Sequence, residues 1–326
     1  MLCDSRKRLL VRSFLAVAAM VILLASCASF KHLTFVSNTF PRAKDCGKCH
    51  VDIYHEWSES DHAYAYTNPH FRSATNNYSF EDCLDCHAPE PMLTADTPAT
   101  RAVGREEGVT CVACHLDRGE LCGPLEPTGK VHPHPVGVRR EVYYNTGICG
   151  RCHEGTFEEW SSIRGDKETC QQCHMEPVMR KVTQATGGIS NVLVSMEKQV
   201  PQKRHGFRIL QGAQSDQLIP LKIESSDGSL CVHVQNRLPH SLPTGDFGFR
   251  VLHLDVFGID ADGNATLAGR WELAGESATA IAPQESREWP LEWGGDCRSV
   301  RAVLTRRSYD GEALVLAETQ VEVAKP

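Results

Sequence analysis

One five-residue pattern occurs five times between Cys46 and His174, and it limits the fold more than any other feature of the chain. The copies read Cys46-Gly-Lys-Cys49-His50, Cys83-Leu-Asp-Cys86-His87, Cys111-Val-Ala-Cys114-His115, Cys149-Gly-Arg-Cys152-His153 and Cys170-Gln-Gln-Cys173-His174. Two thiols three residues apart lie on one side of a helical turn, so both can bond the vinyl groups on one porphyrin edge. The histidine that follows reaches under the ring as proximal iron ligand. Cys-x-x-Cys-His is accordingly the attachment pattern of c-type haem. A single copy could be a redox dithiol or half of a zinc site. Five copies within 129 residues, each with its histidine, leave those readings little room. The pattern implies five covalently attached haem c groups. Their thioethers would come from Cys46, Cys49, Cys83, Cys86, Cys111, Cys114, Cys149, Cys152, Cys170 and Cys173, and their proximal ligands from His50, His87, His115, His153 and His174.

The other cysteines are Cys3, Cys27, Cys122, Cys231 and Cys297, and a total of 15 would be extravagant in a reduced cytosolic protein. Net charge is −7. Residues 41–180 alone carry 14 Lys/Arg against 22 Asp/Glu, and haem propionates would add to that excess. Nucleic acid is therefore excluded as a partner. A redox protein with a basic patch suits the charge better.

The N-terminus reads as a targeting segment. Arg6, Lys7, Arg8 and Arg12 precede an uncharged apolar run from Phe14 to Ala25, long enough for a signal-peptide core and short for a bilayer span. The run closes on Leu24-Ala25-Ser26-Cys27, which resembles the lipobox of bacterial lipoproteins. That resemblance implies lipidation of Cys27, a signal peptide over 1–26 and a mature chain of 300 residues. Residue 28 is Ala rather than a retention Asp, which implies sorting to the outer membrane, facing the periplasm or the cell surface.

Residues 27–45 read as a tether and 46–180 as the haem-bearing segment. The span 41–180 offers only 28 residues per haem, too few to wrap each porphyrin separately. The haems must pack against one another, with short helices carrying the motifs and Pro/Gly-rich loops joining them. Residues 181–215 are polar and irregular, a linker. From 216 to 326 the pattern changes. Ile219, Leu221 and Ile223 alternate with polar residues, as do Leu230, Val232 and Val234; Leu252, Leu254 and Val256; and Val300, Ala302 and Leu304. Turns at Asp227-Gly228 and Asp310-Gly311 complete the signature of a β-sandwich. The expected fold class is a two-part α+β protein: a mainly helical and irregular multihaem cytochrome c domain, then a C-terminal β-sandwich. Asp260 to Asn264 half-resembles a calcium loop but reads as a plain turn.

Each iron has a sixth position, and its occupant decides between electron carrier and enzyme. Ten histidines lie outside the motifs: His32, His55, His62, His70, His132, His134, His205, His233, His240 and His253. A bis-histidine set needs five of them. Met175 and Met179 lie too close in sequence to His174 to cross its haem, and read as packing residues. His205 and one of the pair His132/His134, with His134 preferred, are candidate distal ligands, and His70 is a further candidate.

The run Trp57-Ser58-Glu59-Ser60-Asp61-His62-Ala63 after the first motif resembles the opening of multihaem cytochromes related to hydroxylamine oxidoreductase and its tetrahaem electron acceptor. Gly108-Val109-Thr110 before Cys111 and Cys170 to Met175 are similar to that family too. The stretch Asn236-Arg-Leu-Pro-His240-Ser-Leu-Pro243-Thr244-Gly245 is similar to a loop of relatives that carry a C-terminal sandwich. The resemblance spans about residues 41–250 and implies His62 and His240 as distal ligands, the latter clamping the sandwich onto the haem segment. The chain departs from the four-haem acceptors in haem number and in its added sandwich, and it lacks the length and further haems of the catalytic enzymes.

These readings favour an outer-membrane lipoprotein that passes electrons through closely packed, mostly bis-His haems in anaerobic or extracellular respiration, between redox partners the sequence does not name. The alternative is a multihaem oxidoreductase in which one open haem acts on a small nitrogen or sulfur compound, with Glu106, Glu107, Lys130 or a non-ligating histidine as candidate proton donor. The weight falls on the carrier.

Overall fold

The computed structural model describes residues 16–20, 41–127, 134–184, 194, 197–208, 213–226, 229–245, 250–291, 297–307 and 313–323. Cys27, His32, Lys130, His132, Asp227-Gly228 and Asp310-Gly311 lie outside the described residues.

Up to residue 180 the chain is a series of short helices. Most are a turn or little more: Ala43–Cys46, Leu84–His87, Cys111–His115, Gly147–Gly150 and Cys170–His174 each carry part or all of a motif. Thr169 starts the last of these with a capping box, its hydroxyl accepting from the Gln172 amide while the Gln172 side chain accepts from the Thr169 amide. The longest helices, Val51–Ser58 and Glu154–Ser162, follow the first and fourth motifs directly. Helices this short are not stable alone, and the apolar core between them is thin. Phe71, Leu84, Met92, Leu93, Val112 and Leu116 are its larger buried members. A short sheet adds β1 (Leu116–Asp117), β2 (Glu120–Gly123) and β3 (Val136–Val138); β2 pairs antiparallel with β1 and parallel with β3.

The segment expected to be an irregular linker contains a strand. β5 (Val200–Lys203) pairs antiparallel with β4 (Pro177–Arg180). The alternation of β4 buries Arg180 and leaves Met179 58% exposed, so Met179 is not the packing residue expected of it. The register is held by polar bonds that hydrophobic periodicity does not report.

After the helix Ala213–Leu218 the chain forms two antiparallel sheets. One has the order β10–β7–β6, from Ser286–Leu291, Ser229–Gln235 and Leu221–Ser226; the other has the order β12–β11–β8–β9, from Ala313–Glu322, Ser299–Arg307, Leu252–Ile259 and Ala265–Leu273. Their inward residues form one apolar cluster that includes Leu221, Ile223, Leu230, Val232, Val234, Leu252, Leu254, Val256, Val300, Ala302 and Leu304. These are the alternating positions of the sequence, because period-two patterning fixes which face of a strand is buried. Asp260 Oδ1 accepts from the Asp262 and Asn264 amides, an ordinary Asx-stabilised turn.

Candidate cofactor site

Four of the five motif histidines come together in pairs with four of the other histidines. Ring centroids are 6.5 Å apart for His50 and His134, 6.2 Å for His153 and His62, 6.1 Å for His115 and His205, and 6.4 Å for His174 and His240. Two imidazoles that bind one metal from opposite sides stand about 6 Å apart, since each metal–nitrogen bond is about 2 Å and the ring nitrogen about 1 Å from its centroid. All four pairs fit a shared iron.

The imidazole orientations agree with this. Nδ1 of His50 donates to Val182 O (2.8 Å), of His87 to Ala65 O (2.6 Å), of His115 to Cys122 O (2.7 Å) and of His174 to Arg208 O (3.2 Å). Across the pairs, Nδ1 of His134, His205 and His240 donates to the carbonyls of Pro135, Lys203 and Ser241. A carbonyl only accepts, so each bond puts the proton on Nδ1 and leaves the Nε2 lone pair for a metal. Burial pushes His62 down to about 4 and His205 down to about 3, and lowers His115, His240 and His87 as well. His153, exposed as a whole residue, is pushed down to about 4 first by burial and then by the charge of neighbouring groups, His62 and Arg250 among them. Neutral imidazole is the ligating form.

His62 is set by the residues around it. Gly108 has φ +59, and a Cβ there would stand 2.4 Å from His62 O. Without that Cβ, Val109 N donates to His62 O (2.9 Å) and Trp57 Nε1 donates to Val109 O (2.9 Å). Arg101, 1% exposed, donates to the carbonyls of Pro89, Val103, Gly104 and Gly108 and fixes the loop that carries Gly108.

Two carboxylates position the other loops. Glu56 accepts from Arg180 (2.8 and 3.1 Å), from Arg204 (2.8 Å) and from the His205 amide (2.9 Å). Glu159, on the helix after the fourth motif, accepts from the amide and hydroxyl of Ser241 and from the Thr244 hydroxyl, at 2.6–2.8 Å. Asn236, fully buried, donates to His240 O and Ile281 O from the sheet side. Tyr143 stacks on His115 and bonds Cys114 O and Cys122 O. Sequence reasoning passed over Glu56, Arg101, Tyr143 and Glu159. Nothing in their spacing marks them: Glu56, Tyr143 and Glu159 act on groups far away in sequence, and Arg101 on the carbonyls of an irregular loop that has no periodicity.

His87 differs. The ring against it is Phe71, stacked at 3.7 Å and 3°, and among the described residues no histidine faces it as in the other four pairs. His70 is solvent-exposed on the helix Pro69–Ala74, so that helix turns Phe71 and not His70 toward His87. Arg250 adds positive charge near both His87 and His153. Of the candidate proton donors, Glu106 pairs with Arg42 and Glu107 accepts from the Ala43 amide.

The motif thiols also meet across motifs. Cys46 lies beside Cys111, Cys86 beside Cys152, and Cys149 beside Cys170. Cys114 lies within electrostatic reach of Cys149 and Cys152. No disulfide joins any of the thirteen described cysteines, Cys231 and Cys297 included, and Cys122 is buried.

The family model described as "Cytochrome c554 and c-prime" matches residues 45–116, which hold the first three motifs. A penta-heme cytochrome c552 from Thermochromatium tepidum has a similar structure: TM-score 0.58 and 18% identity, over 87% of this chain and 99% of that one. Northeast Structural Genomics Consortium target SoR45 covers 33% of this chain and 89% of its own at 15% identity, and its TM-score of 0.21 carries no argument. No curated protein matches. The cytochrome c552 likeness shows a shared fold. With the motifs and the family match, it supports a multihaem c-type cytochrome with covalently bound haem c, a class that transfers electrons.

Proposed function

We propose that this chain is an exported electron-transfer cytochrome that binds five haem c groups in close array, four of them between paired histidines. The observation behind this reading is the set of four His–His pairs at 6.1–6.5 Å. In it the ten motif cysteines form the thioethers, the motif histidines are proximal ligands, and His134, His62, His205 and His240 are distal ligands. Bound haem c supplies one-electron chemistry, at lower potential with two histidines than with a methionine.

The chain's own residues do the rest. Main-chain carbonyls hold the Nδ1 proton of His50, His87, His115, His134, His174, His205 and His240, which points Nε2 inward. Glu56 and Glu159 lock the His205 and His240 loops. Arg204 and Arg208, in the groove beside His174, offer positive charge to carboxylates there. The thiol contacts order the attachment sites in space, which differs from their order in sequence: the first site meets the third, the third reaches the fourth, and the fourth meets both the second and the fifth. The fourth site is the junction through which electrons are routed. The unit 216–326, through His240, Ser241 and Thr244, acts as a clamp on the haem-bearing segment 46–180. The finer kinship with hydroxylamine-oxidoreductase-related cytochromes belongs to the same reading.

A second reading rests on His87. With no histidine facing His87 among the described residues, its iron can keep an open position and bind a small nitrogen or sulfur compound, with the charge of Arg250 close by. The anchor is proposed from the lipobox-like run ending at Cys27, with the protein facing the periplasm or cell surface in anaerobic or extracellular respiration. Among the described residues no helix is long and apolar enough to cross a membrane. The intact mass of the exported protein tests the stoichiometry and the anchor together. It should equal the chain from residue 27, five haems and an N-terminal lipid; four haems or fewer would refute the array, and an unlipidated N-terminus the anchor.

A further inference from the structure

The outward face of the β10–β7–β6 sheet gathers metal-ligating side chains that the haem sites do not use. Alternation along β7 buries Leu230, Val232 and Val234 and turns Cys231 and His233 outward. The register sets Glu288 of β10 opposite His233, and Glu224 of β6 opposite Cys231. One ligand atom from each of Cys231, His233 and Glu288 lies within 4.8 Å of the other two. His233 Nδ1 is 3.1 Å from a Glu288 oxygen, and its Nε2 is 3.7 Å from a Glu224 oxygen. Lys222 is on the same face, across β6 from His233.

We propose that Cys231 Sγ, His233 Nδ1 and Glu288 form a surface site for a zinc-class divalent cation, with Glu224 holding the imidazole from its other nitrogen. Thiolate, imidazole and carboxylate together are a donor set that zinc accepts. Around a tetrahedral zinc with bonds of about 2.0–2.3 Å the ligand atoms sit about 3.5 Å apart, so the observed spacing closes with small side-chain rotations. The three ligands stand on two hydrogen-bonded strands, which fixes their backbones before any ion arrives. Glu224, 3.7 Å from the far nitrogen, needs only a small rotation to accept its proton, and a carboxylate there sets the tautomer and raises ligand basicity. Burial, Glu288 and Glu224 all disfavour the bare Cys231 thiolate, and a cation in their midst would reverse the effect of both carboxylates. On binding, the thiol proton leaves to solvent, and a water completes the fourth position on the open side.

The test uses the full-length haem-loaded protein and zinc chloride. Bound zinc is counted by elemental mass spectrometry after dialysis, and affinity is measured by calorimetry, for wild type, Cys231→Ser, His233→Ala and Glu224→Gln. Other surface histidines can also take zinc, so the difference between proteins is the readout. Wild type should hold one equivalent more than Cys231→Ser or His233→Ala, and Glu224→Gln should bind that equivalent roughly tenfold more weakly. Zinc should also shield Cys231 of the wild type from alkylation, read by peptide mass spectrometry, which needs no variant to fold. Equal zinc in wild type and variants, unchanged alkylation at saturating zinc, or recovery of Cys231 in a disulfide would each overturn the site.

Discussion

Gly108 shows how one residue governs a ligand several turns away. Its φ of +59 and the His62 carbonyl beside it leave no room for a side chain. Gly108→Ala should push the His62 helix away from His153 and convert one low-spin iron to high spin, visible as a gain of g ≈ 6 signal in the EPR spectrum. An unchanged spectrum would show that His62 does not ligate. The motifs and the four partner histidines were legible at this scale because haem attachment needs a fixed local spacing and because some partner loops resemble a known pattern. Glu159 and Glu56 were not legible. Each bonds groups more than 80 residues away, and no periodicity records such a contact.

Between the element that carries Glu56 and the β4–β5 pair, polar bonds do what apolar packing does elsewhere. The Arg180 side chain is 8% exposed and that of Glu56 15%, so loss of either partner leaves a charge with little water. Glu56→Gln should cost about 3 kcal/mol and loosen the His205 loop. Burial raises the Glu56 pKa, but bonds from Arg180, the His205 amide and Arg204 outweigh it and the net shift is downward. A depressed carboxylate stabilises the fold above its unfolded pKa, near the ordinary 4.5, and loses that contribution as pH falls through the folded value. Wild type and Glu56→Gln should therefore differ in thermal midpoint at pH 7 and converge as pH falls below the folded value; a constant difference would contradict the ion-pair account. The alternating strands of the two sheets were legible in sequence because burial on one face imposes period two. β5 was not, since its register depends on Arg180, Glu56 and Gln202.

The whole molecule is two structures that stabilise each other. The segment up to residue 180 has short helices and a thin apolar core, while the two sheets share a large one. They meet where Glu159 binds Ser241 and Thr244, next to the His174–His240 pair. If, as proposed, His240 ligates the His174 haem, the sheet unit is a ligand donor, and haem loading and assembly of the two parts should be linked. The central claim is four paired histidine sites, with His87 the exception among the described residues. The EPR and optical spectra of the purified oxidised protein, with haem quantified, test it most directly. The account predicts four low-spin irons and one that is high-spin and responds to nitrite, hydroxylamine or cyanide. Five low-spin irons indifferent to all three, or fewer than four low-spin irons, would contradict it.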